Sequence, residues 1–317
     1  MCFANIIVFG QSKGGCGKTT TTTNVAGLLA AAGKRVLVID LDPQGSTARN
    51  FGVDLDDGRK LLESIAYGED DPTIHREVRT GLDLVPAGRQ LRRLVPMVNA
   101  ASENLADSLE RFFARFAADY DYILVDTPPG MPELVTAALA SANSLVILQD
   151  ADLSTLDGTD EVADSFVEAG KRNPELRLLG VILFRIAANA TKIRKTMLEA
   201  VCKKFGADSK TAVQRAKEKA PISVAEEPVF RTVIRDQART GHLSRFQGHL
   251  VQELADAHAG RAGLWRDYVG GGAEITEGAK AEAAGVLLED LVAITIELLE
   301  RFEDAHQPNT EMEVAAS

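Results

Sequence analysis

Residues 13 to 20 read Lys13-Gly14-Gly15-Cys16-Gly17-Lys18-Thr19-Thr20, set between the apolar run Ile6-Ile7-Val8-Phe9 and a helix-compatible stretch, Thr20 to Ala32, that Gly33 ends. A strand, a glycine-rich turn and a helix in that order leave few architectures open. Glycines at 14, 15 and 17 let successive backbone N–H groups turn inward, and the helix N-terminus adds positive potential at the same point, so the turn is suited to hold phosphate oxygens. The Lys18 ammonium reaches the outer phosphates. The Thr19 hydroxyl suits Mg²⁺, a hard cation that takes one or two protein oxygens and completes its shell with phosphate and water. The expected ligand is a Mg-nucleotide.

Two later segments deliver acids at strand ends. Arg35-Val36-Leu37-Val38-Ile39-Asp40 has the pattern of a buried strand and runs into Leu41-Asp42-Pro43-Gln44-Gly45, and Tyr122-Ile123-Leu124-Val125-Asp126 runs into Thr127-Pro128-Pro129-Gly130. In an open parallel sheet the ligand lies beyond the carboxyl ends of the strands, so Asp40, Asp42 and Asp126 are expected to converge on Mg²⁺ and the terminal phosphate. Strands are predicted near 5–10, 35–40, 82–85, 121–126, 144–149, 178–184 and 229–234, with helices between most of them. That alternation is an α/β fold with a doubly wound, mostly parallel sheet. Leu105, Leu109, Phe112, Phe113 and Phe116 space out as the core face of an amphipathic helix over 105–117.

With 317 residues and 45 % apolar content the chain buries a full core, and the unbroken alternation predicts one domain over 1–304, with 305–317 a flexible tail. Three scattered cysteines, Cys2, Cys16 and Cys202, make neither a disulfide frame nor a zinc site and suit a reducing compartment. No basic n-region, and no run of apolar residues long enough to span a bilayer, is present, which predicts a cytoplasmic protein.

The segments Lys13-Gly14-Gly15-Cys16-Gly17-Lys18-Thr19-Thr20 and Asp40-Leu41-Asp42-Pro43-Gln44-Gly45 make the chain similar to the ParA/MinD class of deviant Walker A ATPases, over about residues 5 to 250. Within that class it most resembles ParA partition ATPases lacking an N-terminal helix-turn-helix. The resemblance implies the P-loop NTPase fold, ATP and Mg²⁺ as cofactors, and hydrolysis of ATP to ADP and phosphate. It implies that Lys13 crosses an ATP-bound homodimer to the partner's phosphates, that Lys18 and Thr19 bind phosphate and metal, and that Asp40 and Asp126 hold Mg²⁺ through water. Asp42 would orient or deprotonate the attacking water, Gln237 would contact adenine, and the Gln149 to Gly158 loop would contact the other subunit. Phosphoryl transfer depends on positioning and neutralisation of charge, which two lysines, a dication and a water-holding carboxylate supply.

A net charge of −11 argues against nucleic acid, but the average hides a local excess: Arg185 to Arg245 carries 14 Lys/Arg against 6 Asp/Glu. This tract predicts salt-sensitive binding to the DNA backbone without base readout, through Arg194, Lys195, Lys203, Lys204, Arg231, Arg235 and Arg239. Of these, Arg239 aligns with a DNA-binding arginine of the family, whereas residues 207–227 read as an insertion holding a short basic helix. The helix predicted over 281–302 has an apolar stripe (Val286, Leu287, Leu291, Ile294, Leu298, Phe302) and an acidic opposite side that includes Glu289, Asp290 and Glu297. An anionic membrane would repel it, so it is expected to pack on the sheet.

The function implied is a nucleoid-associated partition ATPase that binds non-specific DNA in its ATP state and is stimulated by a ParB-like or other cargo adaptor, moving a plasmid or chromosome. The alternatives are the same ATPase positioning a protein cargo on the nucleoid, and a membrane-associated MinD-like regulator. A metabolic synthetase on this fold would need a small-molecule pocket that the sequence does not reveal.

Overall fold

Strand residues of alternating parity face opposite sides of one sheet, and both sides are apolar, so the sheet must be covered twice. The computed structural model describes residues 5–11, 15, 17–68, 71–150, 156–187, 190–236, 248–258 and 280–306. Its strands are β1 (Ile6–Gly10), β2 (Val36–Asp40), β3 (His75–Arg79), β4 (Leu82–Val85), β5 (Tyr122–Asp126), β6 (Ser144–Asp150), β7 (Arg177–Ile186) and β8 (Ile234–Arg235). They form an eight-stranded sheet in the order β3-β4-β2-β5-β1-β6-β7-β8, parallel throughout except for the β3–β4 pair.

Ile6, Val8, Leu37, Ile39, Ile123 and Val125 face one core layer. It is closed by helices that include α3 (Arg59–Tyr67), α5 (Leu105–Ala114), α6 (Pro132–Ala140) and α8 (Thr191–Lys204). Ile7, Phe9, Val36, Val38 and Leu124 face the other, closed by α1 (Lys18–Ala31) and the C-terminal helix Lys280–His306. The predicted amphipathic helix is α5, shorter than expected, with Leu109, Phe112 and Phe113 buried and Phe116 in the turn beyond it. Asn104 caps it by accepting from the Ala106 and Asp107 amides.

Two expectations need correction. The strand expected over 229–234 is broken: Val229 makes an isolated bridge to Val181, and only Ile234–Arg235 forms a strand. Edge strand β3 was not expected, because its sequence His-Arg-Glu-Val-Arg carries one apolar residue. It owes its place to Arg79, whose buried guanidinium forms a two-pronged pair with Glu253 on the Val251–His258 helix. The same group donates to the Phe51 carbonyl at 3.2 Å and the Gly248 carbonyl at 3.1 Å.

The C-terminal helix packs on the sheet as expected, through Leu287, Leu291, Ile294, Leu298 and Phe302, and it continues to His306. Its acidic side is not simply solvated, since Asp290 and Glu297 are buried. Glu297 accepts from the Arg231 amide at 2.9 Å and from the Arg301 guanidinium at 2.8 Å. Arg301 is wholly buried and donates to the carbonyls of Leu179, Glu227 and Val229 at 2.9 to 3.0 Å, with its guanidinium 4.4 Å from the centre of the Phe230 ring. A Cβ on Gly180, where φ is +134°, would lie 2.8 Å from the Arg301 Nη1, so a glycine is required there. Among the described residues no helix is long and apolar enough to cross a membrane.

Two outcomes follow from these buried ion pairs. Arg301→Ala leaves the buried Glu297 without its cationic partner and three carbonyls without a donor, and the expected loss is about 3–5 kcal/mol in urea unfolding; a loss under about 1 kcal/mol would contradict the clamp. For Glu253, burial works to raise the carboxyl, but hydrogen bonds from His249 and Arg79 outweigh it and hold the group below its ordinary 4.5. A carboxyl held low lends stability that is complete above that ordinary value and is lost as pH falls through the lower folded-state value. Glu253→Gln is expected to lower stability at neutral pH and to flatten the acid limb of a melting-temperature series; an equally steep limb in the variant would refute the assignment.

Candidate functional site

Strand order brings the site together. Because β1 lies beside β5 and β5 beside β2, their carboxyl ends adjoin, and Asp40 stands opposite Asp126 in the parallel ladder. The helix that follows the loop after β1 reaches Asp126 through its first two residues, Lys18 and Thr19. Gly17 has φ +78° and ends the loop as the left-handed residue before α1, which begins at Lys18. Its conformation and its crowding both exclude a side chain, since a Cβ there would lie 2.1 Å from Cζ of Phe184 on β7. Gly15 is also left-handed, with φ +92°.

Lys18 and Thr19, both buried, project to Asp126. The Lys18 Nζ lies 2.5 Å from Asp126 Oδ1, and the Thr19 hydroxyl donates to Oδ2 at 2.7 Å. Thr20 sits half-buried on the same first turn. Asp40 is equally buried: its Oδ1 accepts from the Asp42 amide at 2.8 Å, and its Oδ2 accepts from the Thr47 hydroxyl at 2.6 Å. Asp42 accepts from the Gln44 amide at 2.9 Å, which holds the turn that follows β2.

Electrostatics give these carboxyls distinct characters. Burial first, and then the Asp126 charge, push Asp40 up to about 7, against its hydrogen bonds from Thr47 and Asp42. Burial also raises Asp42, opposed by the Gln44 amide and by the charges of Lys18 and Arg92. Among the described residues, two buried carboxyls and a hydroxyl face a single ammonium, a hard-oxygen donor set with a deficit of positive charge. Mg²⁺ fits that set, with Thr19, Asp40 and Asp126 as its holders.

The expected site thus divides. The structure gathers Lys18, Thr19, Asp40, Asp42 and Asp126, with Gly15 and Gly17 in the loop above them. Lys13, Gly14, Cys16, Gln237 and Arg239 lie outside the described residues, as do positions 151–155 of the expected dimer-contact loop. At that loop's start, Gln149 and Asp150 are buried at the end of β6, and Asp150 pairs with Arg185. Sequence reasoning missed Phe184, Thr47 and Arg92. Thr47 was within reach as a hydroxyl seven residues after an acid; Phe184 and Arg92 arrive by long-range packing that no local signal marks.

The basic tract also divides. Arg194, Lys195 and Lys203 are exposed on α8, and Lys204 is half-buried at its end. Arg194 donates to the Arg231 carbonyl at 2.8 Å, and Lys195 lies 3.8 Å from Glu199. Arg231 and Arg235, half-buried, each pair with acids of this chain. Arg231 makes a two-pronged pair with Glu227 at 3.0 and 2.6 Å, and Arg235 holds Asp290 at 2.8 Å and Glu289 at 3.3 Å. The basic helix expected inside 207–227 is α9 (Ser209–Glu218).

Comparison with known proteins agrees with this geometry. The AAA-domain family model matches residues 4–178. The chromosome partitioning protein ParA of Caulobacter vibrioides is 31 % identical over 232 residues, 71 % of this chain and 84 % of that protein. A structure of Mycobacterium smegmatis cobyrinic acid a,c-diamide synthase with bound ATP analogue and magnesium superposes with TM-score 0.57 at 26 % identity, over 62 % of this chain and 78 % of that one. The pNOB8 ParA bound to nonspecific DNA shares the fold, with TM-score 0.57 at 20 % identity over 95 % and 99 % of the two chains.

Gly17→Ala tests the loop. A left-handed alanine costs about 1–2 kcal/mol and the Phe184 clash adds to it. Denaturant unfolding of Gly17→Ala, alone and with Phe184→Ala, is expected to show the second change recovering the steric part while the backbone part persists. Full recovery would mean that the backbone there is unstrained.

Proposed function

The chain belongs to the ParA class of P-loop ATPases, and from that premise we propose that it hydrolyses ATP as a dimer and binds non-specific DNA in the ATP state. The observation that carries this reading is the convergence of Lys18, Thr19, Asp40, Asp42 and Asp126 at the carboxyl ends of adjacent strands. In this reading the Lys18 ammonium and the loop amides neutralise and orient the outer phosphates. Thr19, Asp40 and Asp126 hold Mg²⁺, which when bound withdraws charge from the phosphate oxygens. Asp42, whose burial strengthens its hold on a proton, orients the attacking water and accepts its proton. Lys13 reaches the phosphates of the partner, which makes hydrolysis conditional on association, and Gln237 contacts adenine.

DNA contact is assigned to Arg194, Lys195, Lys203 and Lys204 on α8, with Arg239 beyond the described residues. Arg231 and Arg235 act instead as internal struts, their charges balanced by Glu227, Glu289 and Asp290. The names of relatives support the biological role: a chromosome partitioning protein, and a ParA bound to nonspecific DNA. By that likeness the chain segregates a plasmid or chromosome, and a ParB-type adaptor stimulates its turnover. The C-terminal helix supports nucleoid over membrane association, because its apolar stripe is buried on the sheet.

Asp42→Ala is the deciding variant. ATP turnover should fall by about 10²-fold or more, while the protein accumulates as an ATP-bound dimer retained on DNA of unrelated sequences. Normal turnover in that variant would show that another group positions the water, and DNA binding indifferent to ATP would remove the switch.

A further inference from the structure

The functional reading leaves one cavity unused. It lies among β7, α8, α9 and the segment 227–233, and its volume is about 470 Å³, within the range of small-molecule sites. Leu183, Leu198, Ala212, Val229 and Phe230 supply apolar wall, and Thr191 is the one neutral polar side chain among its lining residues. Four cations and one carboxylate also line it: Arg194, Lys195, Lys217 and Arg231, against Glu227. Glu227 is buried and held at both oxygens by Arg231, so that pair is internally neutral; Arg194 and Lys217 remain for a ligand, with Lys195 beside them at 3.8 Å from Glu199.

A neutral sugar or nucleoside would leave the excess positive charge of the wall unmatched, and a cation would be repelled. A bare inorganic anion would leave the apolar surface unused. We propose that this cavity binds a small amphipathic anion, a carboxylate on an aliphatic or aromatic body, with the body among the apolar residues and the charge at Arg194, Lys195 and Lys217. The rigidity of the 227–230 wall comes from Arg301, which ties the carbonyls of Glu227 and Val229 to the C-terminal helix. Since Arg194 and Lys195 are also assigned to DNA, the anion should displace DNA; that consequence rests on the proposed function, whereas binding of the anion does not.

The test uses the full chain without nucleotide or DNA. Anilinonaphthalene sulfonate fluorescence should saturate at one site, with decanoate displacing it and decylammonium failing to. Ala216→Trp, which fills the cavity, should abolish the signal, and Lys217→Glu on the exposed rim should weaken decanoate by about tenfold, with melting curves of both variants checking the fold. If Ala216→Trp misfolds, the charge reversal alone decides. Unchanged binding in Lys217→Glu, equal displacement by decanol and decanoate, or binding only to phosphatidylglycerol vesicles and not to the free acid would overturn the proposal. A protein that binds decanoate yet never retains DNA would sink the DNA reading and leave the cavity assignment standing.

Discussion

A single carboxylate organises the centre of this molecule. Asp126, wholly buried at the end of β5, receives the Lys18 ammonium on one oxygen and the Thr19 hydroxyl on the other. An unpaired carboxylate at that depth would be untenable, so the first turn of α1 and the end of β5 are bound together. The parallel register then sets Asp40 beside it, and the mutual repulsion and burial of the two carboxyls make the site receptive to a dication. The chemistry expected of the site depends on this crowding of acids more than on any one residue.

Buried arginines do for the periphery what Asp126 does for the centre. Arg79 with Glu253 attaches the β3 edge to the Val251–His258 helix, and Arg301, paired with Glu297 on its own helix, attaches the C-terminal helix to the carbonyls of Leu179, Glu227 and Val229. Each arginine also takes up backbone carbonyls that lack a ladder partner, which is how irregular chain comes to be buried here. The cost is electrostatic: acids of the C-terminal helix consume cations of the tract that looks most basic in sequence. Net local charge therefore overstates the positive potential offered to a polyanion, and among the described residues α8 and α9 carry much of what is left.

Much of the site was legible because its determinants are contiguous. Gly15 and Gly17 take the left-handed turns that glycines allow, and the acids after β2 and β5 stand at the ends of apolar runs whose direction is unambiguous. The amphipathic spacing of α5 and the stripe of the C-terminal helix were readable for the same reason. Less legible were β3, with one apolar residue in five, and the broken segment 229–234, whose Val, Phe and Ile pattern suggested a strand. There Glu297 accepts from the Arg231 and Thr232 amides, so a helix side chain takes hydrogen bonds that a sheet neighbour would otherwise receive.

By itself the sequence determined the α/β class, the glycine-rich turn before α1 and the acids at the strand ends, since these follow from short-range periodicity and from residues whose backbone freedom is intrinsic. Only the tertiary structure decided which charges are spent. Arg235, Asp290 and Glu297 look like solvated surface along the chain, yet Arg235 pairs with Asp290 across 55 residues and Glu297 accepts from the Arg231 amide across 66. Phe184 against Gly17 is of the same kind. Pairing of this sort is set by where helices settle on a sheet, and the packing of two apolar faces, not any local pattern, determines that.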